Sequence, residues 1–307
     1  MNLSNKTKGV LAALFALFIL ITGTLLYENG IIDEETYHEI LSVAGVAEED
    51  TPSLEVHFID VDQAECILIK APEKTVLIDA GDVGYGKPIE NYLRTCGVET
   101  IDLFIATHPH ADHIGSASSI IKAFPIAKII MPEVPEEYLP TTTLFENFIK
   151  SISASDAKFA YAKAGMVFEL GDGATLEILA PISYSGDNLN NYSVVSKLTF
   201  GKTSFLFTGD AEKDVEGEII NSGADLSCTV FNAGHHGSRT SNSAAFLKAA
   251  NAKYGAISCG KDNDYGHPHS ATLTSFKEFN IEYFRTDYDG SIVFITDGEK
   301  LTVSTEK

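Results

Sequence analysis

The chain of 307 residues contains no tryptophan, only 22 lysines and arginines against 43 acidic residues, and four cysteines. The scarcity of cations gives a formal net charge of −21. That argues against a high-affinity, non-specific nucleic-acid binder, which needs clustered Lys and Arg to displace counterions. It leaves room for an enzyme that turns over a phosphodiester. The cysteines show no Cys-x-x-Cys spacing; Cys66, Cys228 and Cys259 sit in apolar runs and read as buried thiols, and spacing gives no support to a Cys228–Cys259 bridge. A hydrophobic content of 44% permits a sizeable core, and the length suits one large α/β domain plus an appendage.

What the chain does have is a dense histidine stretch, Thr107-His108-Pro109-His110-Ala111-Asp112-His113-Ile114-Gly115. The apolar run 101–106 before it reads as a buried strand, and the residues after Gly115 read as a helix start. Potential ligands on a strand-to-helix turn can converge on one small volume. Neutral nitrogen and anionic oxygen together suit zinc, manganese or iron.

At the amino terminus, Lys6 and Lys8 precede an uncharged run of about nineteen residues, Gly9 to Tyr27, long enough to cross a bilayer as a helix. Positive charge ahead of it places the amino terminus inside and the remainder outside. Residues 1–27 are therefore expected to anchor the chain in the cell membrane with an extracellular domain. The rival is a cleaved signal segment, which would make the protein secreted; small-x-small spacing after the run is poor. Residues 28–53 read as an acidic linker and 54–307 as the folded domain. Within the latter, hairpins come first (66–70 with 75–79) and helix–strand alternation later, which predicts two mixed sheets packed together with helices outside. Residues 133–160, rich in Pro, Glu and Thr with a helical piece around Leu144–Ile152, read as an insertion or lid.

Further chemistry sits at apolar strand ends: Asp79-Ala80-Gly81, Thr208-Gly209-Asp210, Gly234-His235-His236-Gly237-Ser238 and Tyr265-Gly266-His267-Pro268-His269. Strand ends of a layered sheet share a rim, so these clusters point to one convergent site. Asp79 either orients the metal loop from behind or caps a turn. Asp210 is placed to bridge two metals.

The order His-x-His-x-Asp-His, Gly-Asp, Gly-His-His-Gly-Ser, His-Pro resembles the metallo-β-lactamase superfamily over about residues 54–300. More narrowly it resembles the hydrolase domain of ComEC-type competence (DNA-uptake) proteins and their stand-alone relatives. The resemblance implies an αββα sandwich of two mixed β-sheets, here preceded by one transmembrane helix, with two divalent metal ions (zinc or manganese) at one edge. Carried over by motif, His108 and His110 bind one metal, Asp112 and His113 the other, Asp210 bridges them and His267 closes the second. The His235–His236 pair supplies a further ligand and a catalytic group. Our reading makes His236 the ligand and His235 the acid, with the reverse assignment open.

Two positions depart from the pattern. No histidine occurs from Ile114 to Gly234, where the superfamily usually has one; Asn190, Asn191 or Ser193 stands there, and the first metal would then depend on the His235–His236 pair. Where the competence-type domain opens with Asp-Val-Gly-Gln-Gly-Asp, this chain has Asp60-Val61-Asp62-Gln63-Ala64-Glu65, a change that bears on DNA as substrate.

Two adjacent cations acidify a shared water, whose hydroxide attacks phosphorus or a carbonyl carbon. Asp112 would steer that nucleophile as well as ligate, and His235 would protonate the leaving oxygen. Asn191 and Ser238 are the expected substrate contacts, although Ser238, Arg239 and Thr240 equally suit a plain helix cap. The expected activity is binuclear hydrolysis of phosphodiesters in nucleic acid or a phosphorylated wall polymer, with no stable protein partner. β-Lactam or thioester hydrolysis, and a degenerate binding module, are the alternatives.

Overall fold

Two β-sheets carry the folded part of the chain. The computed structural model describes residues 53–184 and 186–307, together with scattered positions between 19 and 40. The chain divides into two compact units, Met1–Pro52 and Ser53–Lys307. In the first, residues 21–27 are helical, and Tyr27 stacks on Tyr37 with ring centroids 4.6 Å apart. The expected anchor (1–27) and linker (28–53) lie largely outside the described residues. Among the described residues, no helix is long and apolar enough to cross a membrane.

In the second unit, the first sheet holds β1 (Leu54–Phe58), β2 (Ile67–Lys70), β3 (Thr75–Ile78), β4 (Ile101–Ile105), β5 (Ile126–Met131), β6 (Lys158–Tyr161), β14 (Ile292–Thr296) and β15 (Leu301–Thr305). Their spatial order is β15-β14-β1-β2-β3-β4-β5-β6. The second holds β7 (Val167–Gly171), β8 (Ala174–Ala180), β9 (Val195–Phe200), β10 (Thr203–Phe207), β11 (Val230–Asn232), β12 (Tyr254–Ile257) and β13 (Glu282–Arg285), in the order β13-β12-β11-β10-β9-β8-β7. Each half starts antiparallel and turns parallel: at β3–β4 in the first sheet and at β10–β11 in the second.

Parallel neighbours need a crossover, and helices supply it. On the first sheet these are α1 (Gly86–Thr95), α2 (Ala111–Ile114), α3 (Ala117–Ala123) and α4 (Thr143–Ala154); on the second, α5 (Lys213–Ser222), α6 (Ala244–Ala250) and α7 (Ser270–Glu278). Three apolar layers result. One lies between the sheets, one joins the first sheet to its helices through Ile89, Ile120 and Phe148, and one joins the second sheet to its helices through Ile219, Phe246 and Phe276. The architecture is the expected αββα sandwich.

Phe294 sits at the centre of the inner layer. It is fully buried, with ring centroids 6.0 Å from Phe58 and Phe284 and 6.1 Å from Phe205 and Tyr254. Phe294→Ala should therefore cost about 3–5 kcal/mol of stability, read as a lower urea midpoint at unchanged slope; a loss below 1 kcal/mol would mean that the sheets close over the void.

The structure corrects the reading of 133–160. This segment is part of the sandwich: α4 buries Phe145, Phe148 and Ile152 against the first sheet, and Lys158–Tyr161 adds a parallel edge strand to β5. β6, β7 and β15 carried no clear signal because edge strands stay largely exposed and need no apolar run. The four cysteines are free thiols, three of them buried.

Candidate metal centre

The parallel strands of both sheets deliver the chemical residues from their carboxyl ends. Asp79 follows β3, the stretch His108–His113 follows β4, Asp210 follows β10, His235 and His236 follow β11, and His267 lies beyond β12. Both sheets present these ends to one cleft of about 360 Å³, lined by Gln63, His110, Asp112, Asn190, Asp210, His235, His236, Tyr265 and His267.

Two donor sets converge there and share Asp210. Asp112, His113, Asp210 and His236 form one, and His108, His110 and Asp210 the other. His108 Nε2 lies 3.0 Å from His110 Nδ1, His113 Nε2 lies 3.2 Å from Asp210 Oδ1, and His236 Nε2 lies 3.4 Å from Asp112 Oδ2. Two ligands of one tetrahedral ion, bonded at about 2.05 Å each, stand about 3.3 Å apart.

The direction of the atoms agrees with their spacing. His113 Nε2 and His236 Nε2 are buried and have no hydrogen-bond partner, although carboxylate oxygens lie close. Such unpartnered nitrogens among carboxylate oxygens leave positions that a cation would complete. Each ring is oriented from behind. His236 Nδ1–H donates to the Ser258 carbonyl at 2.9 Å, and His113 Nδ1–H donates to Asp79 Oδ2 at 2.6 Å. Asp79 is itself held by the Thr107 N–H and hydroxyl, each at 2.7 Å. The residues fit divalent metal ions.

The charge pattern is that of a site built for cations. Burial disfavours charge on Asp210 and Asp112, yet His113 and His236 hold both carboxyls well below the usual range. Burial likewise opposes charge on His236, but Asp210 and Asp112 raise it to about 9. A protonated His236 cannot ligate, and the surrounding carboxylates raise His113 as well, so metal loading must release protons and affinity should rise with pH. In the ion-free chain the folded value of His236 exceeds the ordinary 6.5. Its stabilising contribution is therefore complete below about 6.5 and lost as pH rises through about 9. Thermal unfolding in a chelator at pH 6 and pH 9.5 should show the loss; equal stability at both would refute it.

Not every expected residue reaches the cleft as assigned. His236 joins Asp112 and His113, so the His108–His110 set gains no ligand from it. His267 belongs to neither set: it lines the cleft, its Nδ1 lies 3.3 Å from the Gln63 amide, and burial with its histidine neighbours lowers it to about 4. Asn191, an expected substrate contact, is buried with its side-chain oxygen accepting from the Glu212 N–H at 3.0 Å. Its neighbour Asn190 faces the cleft instead. Ser238 is also buried, its hydroxyl turned to Thr240 Oγ1 at 3.1 Å. Ser193, one of the three residues expected in place of the missing histidine, has its hydroxyl 3.4 Å from His108 Nδ1 and accepts from the Asp210 N–H at 3.1 Å.

Glu65 went unassigned at the sequence level. It lies fully buried behind the centre, grouped with Asp79 and His113, and accepts from Asn232 Nδ2 at 3.0 Å. Burial pushes its carboxyl up to about 7. The signal was its place in the departing Asp60–Glu65 segment. Within that segment, Asp62 stands at φ 60°, a region glycine enters freely.

The histidine pair is held in an uncommon backbone. His235 and His236 both have φ 53°, the left-handed region that few side chains adopt. Gly237 follows at φ 79°, where a Cβ would come within 2.6 Å of Pro268. The turn thus packs directly on the His267–Pro268 segment. Asp79→Asn, which spoils the support of His113, should weaken metal affinity about 10- to 100-fold, measured by competition with a chromogenic chelator. Unchanged affinity would make Asp79 a turn cap only.

The family profile described as Metallo-beta-lactamase superfamily matches residues 59–261. The chain belongs to that superfamily. Its curated relatives include ComE operon protein 3 of Bacillus subtilis (strain 168), 28% identical over 78% of this chain and 33% of that protein. Competence protein ComA of Neisseria gonorrhoeae is 27% identical over 76% of this chain and 31% of that protein. The chain thus spans about a third of the length of these ComEC-type relatives. Among solved structures, the metallo-beta-lactamase fold protein YhfI from Bacillus subtilis superposes with a TM-score of 0.52 at 13% identity, covering 80% of this chain and 100% of that one. That likeness concerns the fold. Superfamily membership and the two His/Asp sets together support a metal-dependent hydrolase.

Proposed function

We propose that the protein is a binuclear metallohydrolase that cleaves phosphodiesters outside the cell, anchored by its amino-terminal apolar segment. The observation that carries this reading is the pair of donor sets sharing Asp210 at the floor of an open cleft, with His235 beside them. His108 and His110 would hold one ion and Asp112, His113 and His236 the other, with zinc and manganese both suited to the mixed N/O ligands. Such ions supply charge neutralisation at phosphoryl oxygens and a water of lowered pKa.

The protein's own groups do the rest. Asp112, held anionic, is too weak a base to take protons near neutral pH, so its part is ligation and orientation. His235 is half-buried, with Nε2 3.5 Å from Asp210 Oδ2 and Nδ1 3.3 Å from Thr240 Oγ1. It can hold a proton at Nε2 for the departing oxygen. Tyr265 lies exposed at the rim, its ring 5.6 Å from that of His267 and tilted by 21°. An exposed aromatic over the cleft offers a stacking platform for a nucleobase. The name of the relative described as a competence protein favours nucleic acid over a wall polymer.

Metal content of the full chain, followed by turnover of bis(p-nitrophenyl) phosphate and of a single-stranded oligonucleotide with manganese or zinc restored, tests the reading. Two ions per chain with metal-dependent cleavage are expected. Full occupancy without cleavage of either would favour a binding module, and turnover of nitrocefin or a thioester instead would replace the phosphodiester. Protease treatment of intact cells should remove the domain if it faces outward.

A further inference from the structure

Beyond the cleft, the segment that follows the histidine pair closes a second cavity of about 200 Å³, lined among others by Lys213, Arg239, Ser241 and, from α7, Ala271 and Thr272. Its walls differ from the rest of this acidic chain. Lys213 and Arg239 are both exposed, and the Lys213 ammonium donates to the Arg239 carbonyl at 2.8 Å. Among the described residues neither cation forms an ion pair. Ser241 is only 2% exposed, yet its hydroxyl has no hydrogen-bond partner. A buried hydroxyl left unpaired is costly unless a ligand completes it.

The start of α7 adds donors. Its first turn carries no acidic residue, and its N-cap, His269, makes no side-chain cap bond. Helix geometry leaves the leading N–H groups without intrahelical acceptors, an arrangement that favours anions. Glu216 lies beneath, but its two oxygens are taken by the N–H groups of Asn242 and Ser243 at 2.5 and 2.9 Å. Thr240, between Arg239 and Ser241 in the chain, contacts His235 Nδ1 at 3.3 Å, so the segment that walls this cavity also reaches the metal centre.

We infer that the Lys213–Arg239–Ser241 cavity is an anion subsite for the phosphate next to the scissile one, so that the preferred substrate is a polyphosphodiester chain and not an isolated ester. The inference rests on the phosphodiesterase reading above. It moves the phosphate contacts expected of the 238–240 segment from Ser238, whose hydroxyl is engaged by Thr240, to Arg239 and the unpaired hydroxyl of Ser241.

The test uses the full chain loaded with manganese, and Arg239→Gln, Lys213→Gln and Ser241→Ala variants. The ratio of kcat/KM for the oligonucleotide (dT)4 to that for bis(p-nitrophenyl) phosphate should fall about tenfold in each charge variant, the effect of losing one charge-assisted contact. Poly(glycerol phosphate) in place of (dT)4 distinguishes a wall polymer from nucleic acid. Equal losses on the single ester and the polymer would overturn the subsite, as would an unchanged ratio on both polymers. Fluorescent (dT)4 binding to the metal-free chain provides a second readout, independent of turnover. Arg239→Gln should weaken it and flatten the dependence of log K on log salt by about 0.7. If the parent cleaves nothing, the phosphodiesterase reading falls while this slope still decides the subsite; an unchanged slope rejects it.

Discussion

Asp210→Asn is expected to abolish turnover, by about a thousandfold or more, and to lower metal content in the same preparation. Asp210 is the one residue common to both donor sets. Its Oδ1 lies 3.2 Å from His113 Nε2 and 3.7 Å from His236 Nε2, while Oδ2 lies 3.7 Å from His108 Nε2 and 3.5 Å from His235 Nε2. Asparagine keeps the shape and removes the charge that draws cations into a buried pocket. Loss of one preorganised charge contact in a catalytic site commonly costs 10²- to 10³-fold, and a ligand common to both donor sets would serve both ions of a binuclear centre. Elemental analysis with bis(p-nitrophenyl) phosphate turnover checks it. Full occupancy with turnover within tenfold of the parent would remove Asp210 from the bridging role.

The adjacent histidines should respond differently from one another. His236→Ala removes a buried ligand of the Asp112–His113 set and should lower metal content by about one ion per chain, with turnover lost alongside. His235→Ala should keep the metal and lose about 10²- to 10⁴-fold in kcat, the usual contribution of a general acid. With a p-nitrophenolate leaving group, which needs little protonation, the His235 defect should shrink while the His236 defect persists. The reverse pattern would swap the two assignments. Either way, two neighbours in one turn are separated by a metal count and a leaving-group comparison.

The metal motifs were legible in the sequence because ligand chemistry restricts residue type as well as position. His108, His110, Asp112, His113, Asp210 and His236 all reach the two donor sets from separate strand ends. The layers were legible too, since the central strands β4 and β10 end in the buried apolar triplets Leu103-Phe104-Ile105 and Phe205-Leu206-Phe207. The polar residues between motifs were not. Asn190 and Asn191 are neighbours in a 3₁₀ turn, and only the direction of that turn decides which faces the cleft. Ser238 has the hydroxyl a phosphate would use, but the backbone turns it inward to Thr240. Glu65 reads as a conservative loss of an aspartate, and nothing local shows that its carboxyl is buried behind His113. Edge strands such as Leu301–Thr305 escaped because they are short and largely exposed.

The left-handed backbone at His235 and His236 has an evolutionary side. Holding a non-glycine residue in that region costs about 1–3 kcal/mol each, and two such residues stand in succession here. Glycine at either position would relax the turn, so selection for thermal robustness alone should drift the pair toward glycine or asparagine. A natural or laboratory lineage that keeps both histidines is therefore under selection for chemistry at this turn, and one that has lost them has traded reactivity for a quieter fold.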